Sequence, residues 1–359
     1  MVEALSGGRW QGSSAKVATP TQTSWKELAR ATAGSGGSSS LTTSAFTEKE
    51  NLMILYTGWE AELRLRFGKT TIDDGTKYSQ RYQENFSGDG TNLGNYDYLP
   101  VNAGGSAGTD EGIFGVINGV NISGQEKLFT HNSVDNCLGT GAGTAPAIYE
   151  RNMKYVNTTN AIDIARLYVN SGTMAEGSEI IVLGMNNDEA DSGSNFWQVL
   201  KTTELTSAST TFSSGQISTT KKYLWIQVEY DQTSGGGVGI MKGGTGGTFG
   251  LGSIMSTRFS HDGAAAQSQE SVSYGIVSPS SDGSSRVFVN CFIINPSGHE
   301  KLGISDGSDM ASTGSGTAPD RTQGAFKWAN TSAQLDIFNF SGADGGNLNN
   351  GKITIWGHD

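Results

Sequence analysis

The sequence repeats itself at a nearly fixed spacing, and this constrains the fold more than any other feature. Four segments recur in the same order: Glu-Lys-Leu, Gly-Thr-Ala-Pro, Lys-aromatic-x-Asn-Thr and apolar-Asp-Ile. They begin at positions 126, 143, 154 and 162, and again at 300, 316, 327 and 335, with offsets of 174 (300 − 126) and 173 (316 − 143, 327 − 154, 335 − 162). Four segments kept in one order and register indicate a tandem duplication in which each copy is a structural unit.

The repeat divides the chain of 359 residues into four parts. We predict an N-terminal arm (1–24), a first copy (25–185), a polar and acidic linker (186–195) and a second copy (196–359), each copy being long enough to bury a core. The arm has two interpretations, an unstructured terminus or a segment that orders on a neighbouring subunit. On the second interpretation its aromatic residue Trp10 is a contact, and deleting the arm abolishes assembly but not folding.

Composition predicts an all-β fold. The chain has 51 glycines and only 16% charged residues. Between its Gly-, Ser- and Asn-rich turns lie short runs of β-branched, aliphatic and aromatic residues, such as 51–56 and 223–228. We count about eight such strands per copy. The prediction is a tandem of two antiparallel β-sandwich domains, and the jelly-roll-like topology is added by analogy between folds.

Charge and hydropathy exclude two classes of partner. The net charge is −11, with no run of basic residues, so nucleic acid is not an expected partner. No apolar segment approaches the roughly 20 residues of a membrane-spanning helix, so membrane insertion is not expected. Residues 1–25 lack the apolar segment of a secretory signal, so we expect the protein to be made in the cytoplasm and either to stay inside the cell or to leave by another route, such as packaging into a particle released by lysis.

The sequence contains no recognisable catalytic motif. The four histidines are not spaced as metal ligands. The duplicated acids Glu126 and Glu300 each precede a lysine, and Asp163 and Asp336 are expected to face outward and form cross-strand ion pairs. We therefore predict a protein that is not an enzyme, with no catalytic, cofactor-binding or metal-binding residues.

The sequence offers one candidate metal ion, calcium, and two cysteines. Oxygen-rich loops at 73–75, 186–191 and 306–309 make calcium the one candidate ion, but none of them has the order of a ligand loop. Cys137 and Cys291 do not occupy equivalent positions in the two copies, so we expect free thiols, with Cys291 buried in a strand.

Tyrosines crowd one stretch of the first copy: Tyr78, Tyr82, Tyr96 and Tyr98. The matching stretch of the second copy lacks them. Loop packing explains the cluster simply. The alternative is a surface that contacts glycan or another subunit, because aromatic side chains supply contact area at low entropic cost.

Several motifs together resemble a known family. They are an opening Trp-x-x-Leu, Tyr-x-x-Arg at 78–81, Glu-Lys-Leu, Gly-x-Ala-Pro followed by Arg321, Lys-Trp-x-Asn-Thr-Ser-x-Gln at 327–334 and Gly-x-Asp at 357–359. This pattern is similar to a poorly characterised family of tailed-phage and marine viral virion proteins. It covers both copies but not the first 24 residues, and the first copy departs from it at 147–148 and 155–156.

The resemblance implies a place on a virus particle. The leading hypothesis is a non-enzymatic virion structural protein, such as a capsid decoration or tail-associated protein of a bacteriophage, that acts as a homo-oligomer through symmetric assembly. Its expected partners are itself and other virion proteins. The alternative is a carbohydrate- or receptor-binding module of a tail fibre, with a cell-surface glycan as ligand.

Overall fold

The computed structural model describes residues 24–59, 63–87, 90–101, 112–136, 138–187, 195–233, 237–249, 254–261, 267–280, 285–310 and 317–359. This part of the chain consists of β-strands and their connections and contains no helix, which confirms the all-β prediction. Within it there is accordingly no helix that could cross a membrane. We call 24–187 the first half and 195–359 the second half.

The described residues of the first half form thirteen strands. They are β1 Lys26–Thr32, β2 Ser40–Thr42, β3 Asn51–Trp59, β4 Leu63–Lys69, β5 Thr71–Ile72, β6 Tyr78–Glu84, β7 Gly90–Tyr96, β8 Leu99–Pro100, β9 Gly112–Val120, β10 Lys127–Asp135, β11 Ala147–Tyr155, β12 Ile164–Val169 and β13 Glu179–Met185.

Thirteen strands also form in the part of the second half that the structure describes. They are β14 Gln198–Leu205, β15 Phe212–Ser213, β16 Tyr223–Gln232, β17 Val238–Thr245, β18 Thr248–Phe249, β19 Met255–His261, β20 Gln267–Val272, β21 Gly275–Ser280, β22 Ser285–Ile294, β23 Lys301–Asp309, β24 Asp320–Trp328, β25 Ile337–Gly342 and β26 Leu348–His358.

The two halves have the same sheet topology. Each has an eight-stranded sheet, in the order β1-β13-β3-β9-β10-β11-β6-β7 or β14-β26-β16-β22-β23-β24-β19-β20. Each also has a five-stranded sheet, β2-β12-β4-β5 with β8 on β4, or β15-β25-β17-β18 with β21 on β17. Every strand of the second half thus takes the place of the strand thirteen earlier. This is a likeness of fold, and the tandem duplication itself stays a prediction from the sequence.

The strand count exceeds the expected number of about eight per copy. Strands β6 and β7 show why. Both sequences, Tyr78–Glu84 and Gly90–Tyr96, are mostly polar and show no apolar alternation, and the second contains two glycines. They are nevertheless strands because the backbone of β6 pairs with those of β11 and β7, and backbone pairing does not require an apolar side-chain pattern.

Each half is a sandwich whose core lies between its two sheets. In the first half, Leu52 and Ile54 of β3 and Leu65 and Phe67 of β4 belong to one buried apolar cluster. In the second half, Ile226 of β16 and Phe338 of β25 belong to the matching cluster. A fully buried side chain of this size contributes about 1.5–3 kcal/mol relative to exposure, so the alternating strands fix which face turns inward.

Two buried polar residues recur in the halves and hold the same connections. Asn121 binds the backbone of Lys49 and Ile162, and Asn295 binds that of Lys221 and Leu335 in the same way. The lysine of each Glu-Lys-Leu segment is buried, and its ammonium donates to two carbonyl oxygens: Lys127 to residues 125 and 157, Lys301 to residues 299 and 330. These residues hold loops in place through hydrogen bonds to the backbone. This role explains why the same asparagine and lysine occur in both copies of the repeat.

A third apolar cluster joins the halves. It contains Phe114, Val134 and Ile148 of the first half together with Leu302 and Ile304 of the second. Strand β10 lies against β23, β9 against β22 and β11 against β24. The two eight-stranded sheets therefore pack face to face, and the described residues form four layers of five, eight, eight and five strands.

Candidate functional site

The connection between β10 and β11 lies on the second half. We call residues 138–146 the first docking loop; it includes the first Gly-Thr-Ala-Pro segment. Its backbone carbonyl oxygens accept three hydrogen bonds from side chains of the second half. Lys327 Nζ donates to Gly139 O at 2.6 Å, Ser256 Oγ to Thr144 O at 2.8 Å and Arg258 Nε to Pro146 O at 2.8 Å.

A buried carboxylate completes this contact. Glu300 is only 6% exposed. Its oxygens accept hydrogen bonds from the Asn136 side chain at 2.7 Å and from the Gly141 backbone N–H at 2.5 Å, and Lys327 Nζ lies 3.8 Å away. The same turn places the His299 ring on Trp59, with centroids 4.1 Å apart. His299 is half-buried because the other half covers it.

We call Ser256, Arg258, Glu300, Leu302 and Lys327 the docked face. Their strand register defines the equivalent residues of the first half. In both halves the leucine pairs across with the lysine, and that lysine pairs with the serine: Leu128, Lys154 and Ser79 in one, Leu302, Lys327 and Ser256 in the other. The arginine follows two residues after the serine in each case. The first half therefore has the same five residue types at the same sites: Ser79, Arg81, Glu126, Leu128 and Lys154.

These five residues of the first half, which we call the open face, are not covered as the docked face is. Leu128 is 63% exposed and Leu302 is fully buried. Lys154 is 41% exposed and forms an ion pair with Glu126 at 3.3 Å, whereas Lys327 is fully buried. Ser79, Arg81, Leu128 and Lys154 line a groove of about 780 Å³. Trp25 and Met185 lie at its side.

A row of three residues beside each face differs in polarity between the two halves, and the row that the other half covers is the apolar one. Asn118, Thr130 and Asn152 pair across three strands of the open face, and all three are exposed. Their equivalents Phe292, Ile304 and Ala325 form the same row in the second half. That row is apolar, and its Ile304 and Ala325 are buried beneath the first half. The open face is thus a more polar version of the docked face.

The two halves are also held by an ionic network around Glu179. This carboxylate is 2% exposed and is contacted by Lys222, by Tyr223 Oη at 2.6 Å and by Arg30 at 3.2 Å. Burial alone would raise the pKa of Glu179, but the two cations and the tyrosine hydroxyl hold it below its ordinary value. Because Lys222 and Tyr223 belong to the second half, the network fixes the two sandwiches to each other.

The predicted contact tyrosines do not form one surface. Tyr78 is buried; its hydroxyl binds the backbone of Phe67 and its ring stacks on Tyr155, so the prediction of a contact residue is wrong and loop packing explains it. Tyr82 is half-buried under the Arg151 guanidinium. Trp10 lies outside the described residues.

Tyr96 and Tyr98 lie together on the first half. Their rings meet edge to face at 5.9 Å, and the Arg64 guanidinium lies 4.1 Å above the Tyr98 ring. Arg66 of the same strand lies over Tyr168 at 4.8 Å. These half-buried cation–π pairs on the five-stranded sheet form a small second surface. Its residues are arginines and tyrosines, unlike the mixed set of the open face.

A buried polar cluster inside the first sandwich was not foreseen. Tyr56 Oη lies 2.7 Å from His131 Nε2, and Arg151 lies nearby. Burial, with the Arg151 charge, lowers the pKa of His131 well below its usual value, so the imidazole is neutral. Tyr56, His131 and Arg151 are at most 5% exposed, and this closure favours a structural role. The sequence signal for it was a single histidine in the largely polar strand β10.

The duplicated aspartates are not outward-facing, and that prediction is wrong. Asp163 is buried, accepts a hydrogen bond from the Thr70 backbone N–H at 2.6 Å and pairs with Lys69 at 3.1 Å. Asp336 is buried and accepts from Gln216 at 2.8 Å. Both precede their strands β12 and β25, so the alternation expected of a strand does not apply to them.

The described residues include two of the three oxygen-rich stretches in full, and one of the two cysteines. None of them forms a group of three or more His, Cys, Asp or Glu side chains suited to a metal ion. Asp73, in one of the oxygen-rich loops, pairs with Lys77 at 2.7 Å and accepts from Tyr155 at 3.0 Å. Cys291 is a buried free thiol in β22, as predicted, and burial raises its pKa; Cys137 lies outside the described residues.

Comparison with known proteins gives little to add to this geometry. No protein-family model matches the chain, and no curated protein matches it. Among solved structures, domains LG4-5 of the mouse laminin alpha1 chain align with 91% of this chain and 88% of that chain, at 11% identity and a TM-score of 0.19. A TM-score this low supports no conclusion about fold or function.

Proposed function

We propose that the chain is a non-enzymatic structural protein of a virion that acts by assembling with other protein subunits. The virion part of the proposal rests on the motif resemblance alone. Assembly is supported by one observation: the open face carries the same five residue types that hold the two halves together, and within the chain Arg81, Glu126 and Leu128 are exposed while Ser79 and Lys154 are half-buried.

The build of the chain suits a structural role. The two halves are joined by an apolar cluster, a buried carboxylate at Glu300 and an ionic network at Glu179, so the two sandwiches form one body. Side chains with displaced pKa values, such as His131 and Cys291, are buried in this body. A rigid unit with an unmatched docking surface is the kind of part from which symmetric assemblies are built.

Light scattering of the purified full-length chain over a range of concentrations tests this proposal. We expect the mass to rise above the 37.7 kDa of one chain as concentration increases. A mass that stays at one chain at every concentration would contradict assembly with itself.

A second candidate function, glycan binding, is favoured by a separate observation. Arg64 and Tyr98 form a cation–π pair beside Tyr96, and aromatic rings next to hydrogen-bonding groups suit sugar rings. On this reading the chain binds a cell-surface glycan through the five-stranded sheet of its first half. A glycan array that detects no ligand, or a ligand whose binding survives Tyr98→Ala, would remove this candidate.

A further inference from the structure

The chain contains two sets of docking residues and two Gly-Thr-Ala-Pro segments, but in the described residues only one set meets one segment. The docked face of the second half holds the first docking loop. The open face of the first half has the same residue types and a groove in front of them. The second Gly-Thr-Ala-Pro segment is described at 317–319, and there it is exposed.

We infer that residues 317–319 of one chain dock on the open face of a second copy of the chain, as the first docking loop docks within the chain. This rests on the proposed function and names the partner in the assembly. The chain supplies the template for the contact, since the same kind of face is already bound to the same kind of segment between its halves.

The binding groups on the segment side are available. Ala145 and Pro146 are buried against the second half, and their equivalents Ala318 and Pro319 are exposed. The oxygens that Ser256, Arg258 and Lys327 bind all belong to the backbone. Two of these oxygens, those of Thr144 and Pro146, lie in the Thr-Ala-Pro sequence, so Thr317 and Pro319 can present the same two carbonyl oxygens to Ser79 and Arg81. The oxygen that Lys327 binds belongs to Gly139, which precedes that sequence.

The open face carries the same binding groups as the docked face. Lys154 forms an exposed ion pair with Glu126, and docking would cover its ammonium, as the ammonium of Lys327 is covered. Ser79 and Arg81 stand in the same cross-strand places as Ser256 and Arg258. The side chain of Leu128 is exposed and can still be buried by docking, whereas the equivalent side chain of Leu302 is already buried.

Polarity changes on both sides of the inferred contact in the same direction. Where the first half presents Ile148, the second half presents Arg321, and Ser308 stands in place of Val134. These polar groups would meet Thr130 and Asn152, which replace Ile304 and Ala325. Phe288, equivalent to the buried Phe114, is still 46% exposed and keeps an apolar centre. A more polar contact suits reversible association between chains, whereas the apolar one is permanent.

The contact has a direction, which determines the type of assembly. Each chain gives one segment and offers one face, so the two surfaces of a contact are different. Such contacts close into a ring when the rotation between copies allows it, the smallest ring being two chains that exchange their segments, and otherwise they continue as a filament.

Two exposed substitutions separate the two sides of the contact. Leu128→Arg blocks the open face, and Ala318→Arg blocks the segment and brings a like charge toward Arg81 and Lys154. Both positions are exposed, so neither change should disturb folding, and circular dichroism checks this. Thr248→Asp, on the exposed β18 of the second half, is the matched control.

The test is sedimentation velocity of each variant alone and of an equimolar mixture. We expect wild type and Thr248→Asp to assemble, each arginine variant alone to remain one chain, and the mixture to stop at two chains. That pairing arises because one intact segment meets one intact face. If wild type assembles and both variants do so equally, the inference is wrong and the proposed function stands. If wild type remains one chain at all concentrations, both the inferred contact and the proposed assembly are overturned. This holds also if the segment of a chain covers the open face of the same chain.

Discussion

Leu302 and Leu128 occupy equivalent places in the two halves, each directly across from a lysine of the neighbouring strand. Leu302 is fully buried between the sheets, and Leu128 is 63% exposed. The same residue in the same local structure thus has two environments, because one face of the repeated unit is covered by the other half and its counterpart is not. The following predictions depend on this difference.

Truncating the two leucines should have unequal effects on stability. Leu302→Ala opens a cavity in the cluster between the halves, which costs about 2–5 kcal/mol of unfolding free energy. Leu128→Ala removes an exposed side chain and should change stability by less than about 0.5 kcal/mol. Urea unfolding of dilute protein measures both, and equal losses would mean that Leu302 is not packed as described.

Removing the carboxylate of Glu179 should weaken the attachment of the halves. Glu179→Gln leaves Lys222 and Arg30 without their buried counter-charge, and we expect a loss of about 3 kcal/mol. Glu229→Gln is the matched control, because its pair with Arg286 is exposed and worth at most about 1 kcal/mol. Similar unfolding curves for the two variants would refute the network as a lock.

The same carboxylate predicts a loss of stability in acid. Its folded-state pKa is below the ordinary value of 4.5, so its contribution is present above about that pH and disappears as pH falls through the folded-state pKa. Glu179→Gln should therefore be less sensitive to pH below 4.5 than wild type. Thermal unfolding from pH 2 to 6 compares them, and parallel curves would contradict the assignment.

Ionisation of Glu150 should lower the stability of the fold as pH rises, which is the opposite of the trend expected for Glu179. Burial, with the nearby Asp306, raises its pKa from 4.5 to about 7, although Arg321 opposes the shift. The unfolded chain ionises Glu150 first, so its contribution to stability is full below pH 4.5 and declines until pH passes about 7. Glu150→Gln, which keeps a hydrogen-bonding group beside Gln323, should gain up to about 3 kcal/mol on wild type across this interval. No relative gain between pH 4 and 8 would show that Glu150 ionises normally.

The surface around Tyr98 should be independent of assembly. Tyr98→Ala removes the ring under Arg64 but leaves the open face and residues 317–319 unchanged. We expect its mass at each concentration to equal that of wild type in light scattering. A variant that no longer assembles would shift the contact to the five-stranded sheet and would contradict the role of the open face.

The all-β class followed from glycine-rich turns between short apolar runs, because these patterns depend on local chemistry alone. The two-half division followed from the repeat. The number of strands did not, since polar strands such as β6 and β7 form through backbone pairing, which leaves no apolar signature.

The site was harder to foresee because its residues are the same in both halves. Glu126 and Glu300, or Lys154 and Lys327, are identical in letter and differ only in what covers them. A usable signal was present in their neighbours. Thr130 against Ile304 and Asn152 against Ala325 mark which copy of the face is exposed, but they gain meaning only once the strand register is known. Tyr78, in contrast, looked like a surface residue because its partners Phe67 and Tyr155 are distant in sequence.

Reactivity of Lys154 toward an amine-acetylating reagent tests the central claim most directly, because it reports whether assembly covers the open face. Lys327 is the internal reference, since it is buried in a single chain and should stay unmodified in every sample. Mass spectrometry should find Lys154 modified in dilute single chains and protected in the assembled fraction isolated by size exclusion. Equal modification of Lys154 in both fractions would contradict the account.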